Sequence, residues 1–289
     1  MKICCDCGNR FDTTGWTCPT CHYSPKQIAG FPAFSPELAE SNEGFKAGYF
    51  AELASIEASN FWFRARNRLI IWIFRQYFPR VKNFIEIGCG TGFVLSSIER
   101  TFPHLLIYGS EIYSTGLIYA AERLKRAELF QMDARDIPFE NEFDVIGAFD
   151  VLEHIKEDDL VLSQMYKAAK EGGGIILTVP QHRFLWSQVD QIACHVRRYN
   201  ATELKNKVER VGFDVVKMFS FVSLLLPLMI ASRLRKRQTS HNCDATTEIK
   251  VSGLMNTILE KVLDIERCLI RLGINLPFGG SLILIARKV

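Results

Sequence analysis

The segment Phe84-Ile85-Glu86-Ile87-Gly88-Cys89-Gly90-Thr91-Gly92-Phe93 passes from an apolar strand pattern into a helix through three alternating glycines. Glycine lets the backbone turn tightly and approach a ligand, and the N-terminus of the following helix offers unpaired N–H groups. A dinucleotide-binding loop would need glycine where this chain has Phe93, which disfavours NAD. A phosphate-binding P-loop is excluded because no Gly-Lys-Ser/Thr follows. The segment therefore predicts a ligand site of another kind at the end of a strand.

Apolar runs alternate with helical patterns around this loop, which implies a mainly parallel sheet covered by helices on both faces. Helical spacing is found from about residue 52 to 78, where we expect one or two helices, and again over 201–211 and 252–272. The predicted strands cover residues 84–87, 105–109, 143–149, 174–179, 213–219 and 281–286.

The composition is that of a globular protein. The chain has 289 residues, of which 48% are hydrophobic and 23% charged, and this excludes wholesale disorder, a collagen-like structure and a coiled-coil rod. The net charge of +3 is too small for an electrostatic nucleic-acid binder, so any basic patch must be local. The first residues contain no apolar segment of the kind a secretory signal requires. We therefore expect a cytoplasmic, reducing location and free thiols.

Five of the nine cysteines lie within the first 21 residues. Cys4 and Cys7 form one Cys-x2-Cys pair, and Cys18 and Cys21 form another. Two such pairs can bring four thiolates to the corners of a Zn²⁺ tetrahedron, which predicts a structural zinc ribbon over residues 1–24 with Cys5 as a spare thiol. Metal binding would supply the folding free energy of so small a module. A redox dithiol pair is the weaker alternative, because redox chemistry needs only one such pair.

The glycine loop and later stretches resemble, in order, the class I S-adenosylmethionine-dependent methyltransferases. That family has an acidic-x-Gly-x-Gly-x-Gly motif after the first strand, which residues 86–92 match. Residues 143–155 resemble its fourth strand and the Leu-Glu-His turn of the small-molecule branch, and residues 172–180 resemble its fifth strand. The resemblance implies an α/β, Rossmann-like, doubly wound methyltransferase sheet, here preceded by the zinc ribbon. We expect a linker and N-terminal helices over 25–79, and a methyltransferase domain over 80–289 with a helical insertion at about 222–277.

The resemblance also implies a set of cofactor contacts. Glu111, at the end of the second strand, would accept hydrogen bonds from both ribose hydroxyls, and Asp133 would lie beside the adenine amino group. Arg64 or Arg66 would reach the carboxylate of the methionine moiety. The full expected set for S-adenosylmethionine is Glu86, Gly88, Cys89, Gly90, Thr91, Gly92, Glu111, Ile112, Asp133, Ala134, Phe149, Asp150 and Arg64.

Methyl transfer to a hydroxyl requires alignment of two reactants and a base. In an open sheet, ligands bind beyond the carboxyl ends of the strands, which places residues 181–199 over the acceptor pocket. The candidate bases are His195, His182 and His154, in that order, and the alternative for each is a histidine that orders a loop by hydrogen bonding. Arg197 and Arg198 would bind an anionic acceptor or pair with acidic neighbours.

An apolar run over residues 218–232 precedes four cations, Arg233, Arg235, Lys236 and Arg237. The run is too short to span a bilayer. It predicts interfacial attachment to an anionic membrane or a hydrophobic acceptor channel, with packing on the domain's own core as an equal alternative. The helix over 252–272 has an apolar face that we expect to cover this run.

The predicted function is S-adenosylmethionine-dependent O-methylation of a glycan, a lipid-linked sugar or a related small molecule, with possible peripheral contact at the inner face of the membrane. One alternative is an RNA base methyltransferase that uses the ribbon to bind RNA. The ribbon has only Lys2 and Arg10 against Asp6 and Asp12, which disfavours a nucleic-acid partner. Another alternative is an inactive adaptor, which the intact glycines and acidic residues disfavour. The oligomeric state stays open.

Overall fold

A computed structural model describes residues 1–40, 48–237 and 251–289, and within these residues a mixed sheet of nine strands forms the centre of the molecule. A separate two-stranded sheet lies at the N-terminus. The strands are β1 (Lys2–Ile3), β2 (Arg10–Phe11), β3 (Lys26–Ile28), β4 (Phe31–Ala33), β5 (Asn83–Ile87), β6 (Leu106–Glu111), β7 (Glu128–Gln131), β8 (Phe143–Phe149), β9 (Ala169–Pro180), β10 (Phe213–Phe221) and β11 (Ser281–Lys288).

Helices cover both faces of the large sheet and enclose two apolar cores. The α-helices of the described residues are α1 (Gly48–Ile56), α2 (Phe61–Tyr77), α3 (Phe93–Thr101), α4 (Ser114–Arg123), α5 (Asp158–Ala168), α6 (Gln188–Ile192), α7 (Ala201–Arg210), α8 (Leu226–Arg237) and α9 (Gly253–Arg271).

The strand order in the large sheet is β10-β11-β9-β8-β5-β6-β7-β4-β3. Strands β5 to β9 run parallel, whereas β11 is antiparallel to both of its neighbours. Because β5 lies between β6 and β8, the direction of winding reverses at β5, and this is where a crevice opens in such sheets. The predicted α/β, Rossmann-like class is confirmed, with a mixed rather than wholly parallel sheet.

The stretch after the ribbon, which we expected to be a linker, contains two short strands, β3 and β4. β3 and β4 form an antiparallel hairpin, and β4 extends the large sheet by pairing in parallel with β7 through Ala33 and Gln131. The side chain of Gln131 accepts a hydrogen bond from the N–H of Ser35 at 3.1 Å and donates one to its carbonyl at 2.8 Å. The Gln131 side chain thus takes the place of backbone hydrogen bonds at Ser35, where the chain leaves β4.

The N-terminal ribbon packs against the large domain. The N–H of Ile3 donates to the carbonyl of Pro138 at 2.9 Å. The ring of Trp16 packs edge-on against Phe34, Phe130 and Phe139, with centroid distances of 4.4, 5.5 and 5.3 Å. The ribbon is therefore held by a shared aromatic cluster as well as by backbone contacts.

The insertion between β10 and β11 differs from the expectation in the orientation of α9. The predicted apolar face includes Leu254, Ile265 and Leu272, which are exposed. The face that packs inward instead contains Leu259 and Leu263. Residues 238–250 of the predicted insertion lie outside the described residues. No helix in the described part of the chain is long and apolar enough to cross a membrane.

Candidate functional site

A cavity of about 1460 Å³ opens at the carboxyl ends of the central strands. Acidic side chains from four of these strand ends line its wall together with the glycine loop. The lining residues at the strand ends are Glu86, Gly88, Cys89, Gly90, Thr91, Glu111, Ile112, Asp133, Ala134, Phe149 and Asp150.

The glycine loop is held in a conformation that other residues rarely adopt. Gly88, Gly90 and Gly92 have φ angles of +67°, +53° and +72°. A Cβ atom at Gly88 would lie 2.6 Å from Cγ2 of Val151, and one at Gly92 would lie 3.0 Å from Ala120 of α4. Gly92 does not line the cavity; it permits the close packing of α3 against α4. The other two glycines form the cavity floor.

Glu111 is anchored beside this loop by three backbone hydrogen bonds. Its Oε2 accepts from the N–H of Gly90 at 3.0 Å, and its Oε1 accepts from the N–H groups of Ile112 and Tyr113 at 2.9 and 3.2 Å. Burial raises the pKa of Glu111, and the three hydrogen bonds oppose that shift. Each carboxylate oxygen keeps further acceptor capacity, so the group can bind a pair of hydroxyls at the cavity wall.

Asp133 follows β7, and its carboxylate forms an ion pair with Arg135. The guanidinium donates to both carboxylate oxygens, from Nε at 2.9 Å and from Nη2 at 2.7 Å to Oδ2 and from Nε at 3.1 Å to Oδ1. A ligand amino group would therefore share these oxygens with Arg135.

Arg66 rather than Arg64 reaches the cavity. Arg66 lines the wall, pairs with Asp150 and lies 4.4 Å from the centroid of the Trp62 ring. Arg64 points away from the cavity and pairs with Glu260 of α9 at 3.1 Å. The Arg66 cation also faces Glu86, where burial raises the carboxyl pKa well above its usual range and Arg66 opposes the rise. Oε2 of Glu86 is buried without a hydrogen-bond partner, so the wall offers both a cation and a free acceptor.

Thr91 connects the glycine loop to α1 and α4 through a buried ion pair. Its hydroxyl donates to Oε2 of Glu57 at 2.6 Å, and Arg123 donates to the same oxygen at 2.6 Å. Arg123 also donates to the carbonyl of Ala54 at 2.9 Å. Sequence reasoning missed Glu57, in the turn after α1, and Arg123 of α4, because two charges 66 residues apart carry no local pattern.

His195 is oriented at the far side of the cavity by a buried carboxylate. Its Nδ1 lies 3.0 Å from Oδ1 of Asp190, which also accepts from Nε of Arg198 at 2.7 Å. The N–H of Ser187 donates to the other Asp190 oxygen at 2.8 Å. Burial would raise the pKa of Asp190, but the hydrogen bond from His195 and the charge of Arg198 hold it well below its usual range. The ionised carboxylate keeps the proton on Nδ1 and leaves Nε2 as an acceptor.

Sequence reasoning did not assign a role to Asp190. Its position three residues after Ser187 is the spacing of a capping box, and the structure has that box at the start of α6. This spacing was the available signal.

Two further groups, Glu153 and His154, lie beside His195. Oε1 of Glu153 is 4.0 Å from Nε2 of His195, and neither Glu153 oxygen has a hydrogen-bond partner. Burial and the nearby charge of Asp150 raise the pKa of Glu153 well above its usual range. The ring of His154 packs edge-on against that of His195 at 4.8 Å. Burial and, after it, the proximity of this second imidazole lower the pKa of His154 to about 3. Glu153, His154 and His195 form a compact group whose ligand atoms lie within 4.8 Å of one another.

His182 does not line the cavity, and it lies between the rings of Phe184 and Phe278. Arg197 pairs with Asp158 at 2.5 Å and does not line the cavity either. Arg198 lines the cavity but is committed to Asp190 and to the carbonyl of Gln181. Both arginines therefore pair with acidic neighbours, which is the alternative to binding an anionic acceptor.

Part of the cavity lining is mainly apolar and comes from the insertion and its flanks. Leu225 and Met229 belong to the segment around α8, and Met255 and Leu259 belong to α9. The carbonyl of Leu185 accepts a hydrogen bond from Arg233 at the same wall. The acidic strand ends and this apolar part of the lining therefore belong to one cavity.

The four cysteines of the ribbon form a compact group away from this cavity. The Sγ atoms of Cys4 and Cys21 are 3.5 Å apart, and those of Cys7 and Cys18 are 3.7 Å apart. All four lie within 4.8 Å of one another. Cys5 is exposed and is not a member of the group.

A family model described as a methyltransferase domain matches residues 56–218, a little over half of the chain. A probable S-adenosylmethionine-dependent methyltransferase of Mycolicibacterium smegmatis is 22% identical over 167 residues, which are 56% of this chain and 63% of that protein. Phosphoethanolamine N-methyltransferase 2 of Caenorhabditis elegans is 28% identical over 178 residues, 58% of this chain and 40% of that protein. The chain spans less than two thirds of the length of these curated relatives.

Solved structures show the same fold at low sequence identity. A complex of the Haloferax volcanii Trm112 methyltransferase activator with a methyltransferase-like partner matches with a TM-score of 0.56 and 13% identity, covering 87% of this chain and 97% of that one. Haemonchus contortus phosphoethanolamine N-methyltransferase 2 with S-adenosyl-L-methionine matches with a TM-score of 0.51 and 21% identity, covering 77% and 52%.

Proposed function

The chain belongs to the methyltransferase-domain family, and from that premise we propose that it methylates a hydroxyl oxygen of a small molecule with an apolar part, using S-adenosylmethionine. A glycan or a lipid-linked sugar is the acceptor class we propose. The observation that carries the proposal is a histidine with a fixed tautomer, His195, opening into the same cavity as the glycine loop and Glu111.

The residues of the cavity fit S-adenosylmethionine in their donor and acceptor types. Glu111 would accept hydrogen bonds from the two ribose hydroxyls. The buried, unpartnered oxygen of Glu86 and the Arg66 guanidinium would face the ammonium and carboxylate of the methionine moiety. When bound, this cofactor supplies an electrophilic methyl group on a sulfonium sulfur.

The chain's own part in the transfer is to align the acceptor and to remove its proton. Nε2 of His195 would accept the hydroxyl proton as the oxygen attacks, and Asp190 would stabilise the imidazolium through Nδ1–H. Arg198 and Ser187 hold Asp190 in place, so the base does not need to reorganise. Burial and the charge of Asp150 raise the pKa of Glu153 well above its usual range, which favours the uncharged form of this carboxyl beside His195.

The apolar wall supports an acceptor with an apolar group. Leu225, Met229, Met255 and Leu259 line the same cavity as the acidic strand ends. Burial of apolar surface against such a wall contributes roughly 25 cal/mol per Å². A polar acceptor such as an RNA base would leave this wall without a partner.

We also propose that the ribbon binds one structural Zn²⁺ through Cys4, Cys7, Cys18 and Cys21. A tetrahedron with Zn–S bonds of 2.3 Å has S–S edges of about 3.8 Å. The Sγ–Sγ distances of 3.5 Å between Cys4 and Cys21 and 3.7 Å between Cys7 and Cys18 support that size. Zinc would stabilise the ribbon, and the ribbon in turn covers Phe130 and Phe139 through Trp16.

The test is a transfer assay with methyl-labelled S-adenosylmethionine and a panel of hydroxylated long-chain and glycosylated compounds, read by mass spectrometry. We expect label on an acceptor oxygen, and we expect His195→Asn to reduce the rate by about 10²–10⁴-fold. His104→Asn, at an exposed position, is the matched control. Label on nitrogen, or an unchanged rate in His195→Asn, would contradict the proposal.

A further inference from the structure

An exposed apolar stripe runs along α9. Its members share one side of the helix and turn away from the core, and Leu254 and Leu272 are 75% and 77% exposed. Their separations of three, four and seven residues place them on one face. The exposed stripe consists of Leu254, Met255, Ile258, Ile265 and Leu272.

No carboxylate of α9 lies on this stripe. Glu260 and Glu266 are buried on the opposite side, and Asp264 pairs with Arg68 at 3.0 Å and with Arg267 at 3.1 Å. Two cations of the helix, Lys261 and Arg271, are exposed. Lys261 follows Ile258 by three residues and precedes Ile265 by four, so it lies within the stripe, and the outward side of α9 is apolar with a cation in its middle.

The stripe is continuous with the mouth of the cavity. Met255 belongs to both, and Val251 and Leu228 line the cavity while being 37% and 54% exposed. The exposed stripe and the cavity lining therefore share an apolar border at these residues.

The charges around this surface favour one occupant. The described side chains at this surface include the exposed cations Lys261 and Arg271, whereas every carboxylate of α9 is buried or paired with an arginine. A second copy of the chain, packed through the same surface, would bring two sets of cations together and would be repelled. An anionic lipid surface satisfies both features, because its acyl region takes up the apolar side chains and its headgroups neutralise the cations.

We propose that the exposed stripe docks on the surface of an anionic lipid bilayer, with the cavity mouth facing the lipid. The docking proposal rests only on the apolar and cationic side chains of this surface and does not depend on the reaction. Its consequence, that the acceptor enters from the bilayer by its apolar chain, rests on the proposed methyl transfer.

The test is sedimentation of the full chain with phosphatidylcholine vesicles that contain phosphatidylglycerol, at low and high salt. We expect the parent protein to sediment at low salt, to be released as salt rises, and to bind pure phosphatidylcholine less. The variant Leu254→Ser/Ile258→Ser/Ile265→Ser should bind at least about tenfold more weakly. None of these three residues lines the cavity.

A matched control removes as many exposed apolar side chains from another part of the surface. Leu106→Ser/Ile118→Ser/Leu160→Ser changes residues that are 58%, 46% and 44% exposed, and it should bind vesicles as the parent does. Calorimetry with S-adenosylhomocysteine on both variants separates a docking failure from a failure of the cofactor site.

Parent protein that stays in the supernatant with anionic vesicles at low salt would overturn the proposal. So would equal vesicle binding by the stripe variant and the parent. A parent dimer that the stripe variant converts to a monomer, seen by analytical ultracentrifugation, would assign the surface to a second copy instead.

Discussion

Replacing Glu111 by Gln should weaken S-adenosylhomocysteine binding by about 10- to 150-fold, from a loss of about 1.5–3 kcal/mol. The ribose hydroxyls would lose a charged acceptor. An amide that keeps its oxygen toward Ile112 and Tyr113 must also turn its NH₂ group toward the N–H of Gly90, which now donates to Oε2 at 3.0 Å. The substitution would therefore remove the hydrogen bond that anchors the glycine loop and, at the same time, the charged acceptor of the ribose hydroxyls.

Isothermal calorimetry on purified parent and variant measures this loss directly. Gln is preferred to Ala because Ala would leave three buried N–H groups without an acceptor, at about 1–3 kcal/mol each, and would confuse binding with folding. Glu122→Gln, at an exposed position on α4, is the matched control and should bind as the parent does. Affinity within twofold of the parent in a folded Glu111→Gln protein would refute the assignment of Glu111 to the ribose.

Three further predictions follow from the structure. Purified protein should contain one equivalent of zinc by elemental analysis, lost in Cys18→Ser and kept in Cys5→Ser, and a zinc-free parent would refute the ribbon assignment. Cofactor affinity should fall as pH is lowered, because the protonated form of Glu111 has fewer acceptor sites for the ribose hydroxyls. Burial raises the pKa of Glu111, so the fall should begin at a higher pH than for a carboxyl with the usual pKa of about 4.3. Calorimetry across a pH series measures this. The folded state holds a proton on Glu153 at pH values where the unfolded state, with a pKa near 4.3, has lost it, so this group lowers stability as pH rises above about 4.3. Glu86 and Glu111 contribute in the same direction, so Glu153→Gln should make the decline in thermal melts shallower, and an equally steep decline in the variant would contradict the raised pKa.

The sheet could be predicted from the sequence because its features are local. An apolar run such as that ending at Ile87, followed by Gly88, fixes a strand and its turn within a few residues. Glu111 and Asp133 follow from their positions at the ends of the next strands. The edge hairpin of β3 and β4 could not be predicted in this way, since it depends on one side chain, Gln131, about 100 residues further along the chain.

The orientation of α9 shows a limit of hydrophobic patterns. The helix has two apolar stripes, and the more apolar one is exposed. The buried stripe includes Glu266, which accepts from the N–H groups of Ser223 and Leu224 at 2.9 and 3.0 Å. A second buried acid, Glu260, pairs with Arg68 at 2.7 Å. Partners so distant in sequence make a polar stripe compatible with burial, and no periodicity within α9 reveals them.

The candidate base was predicted more successfully than its surroundings. His195 lies at the cavity wall, whereas the second candidate, His182, packs between Phe184 and Phe278. The difference depends on where the chain turns after β9, and the sequence does not specify that path. The capping-box spacing of Asp190 after Ser187 indicates only the start of a helix, and its role in orienting His195 follows from its contacts with His195 and Arg198.

A crystal structure of the full chain with S-adenosylhomocysteine tests the central claim most directly. The account predicts one ligand molecule in the 1460 Å³ cavity, with both ribose hydroxyls on the Glu111 carboxylate and the thioether sulfur facing Nε2 of His195. A ligand bound elsewhere, or one whose ribose does not contact Glu111, would contradict it.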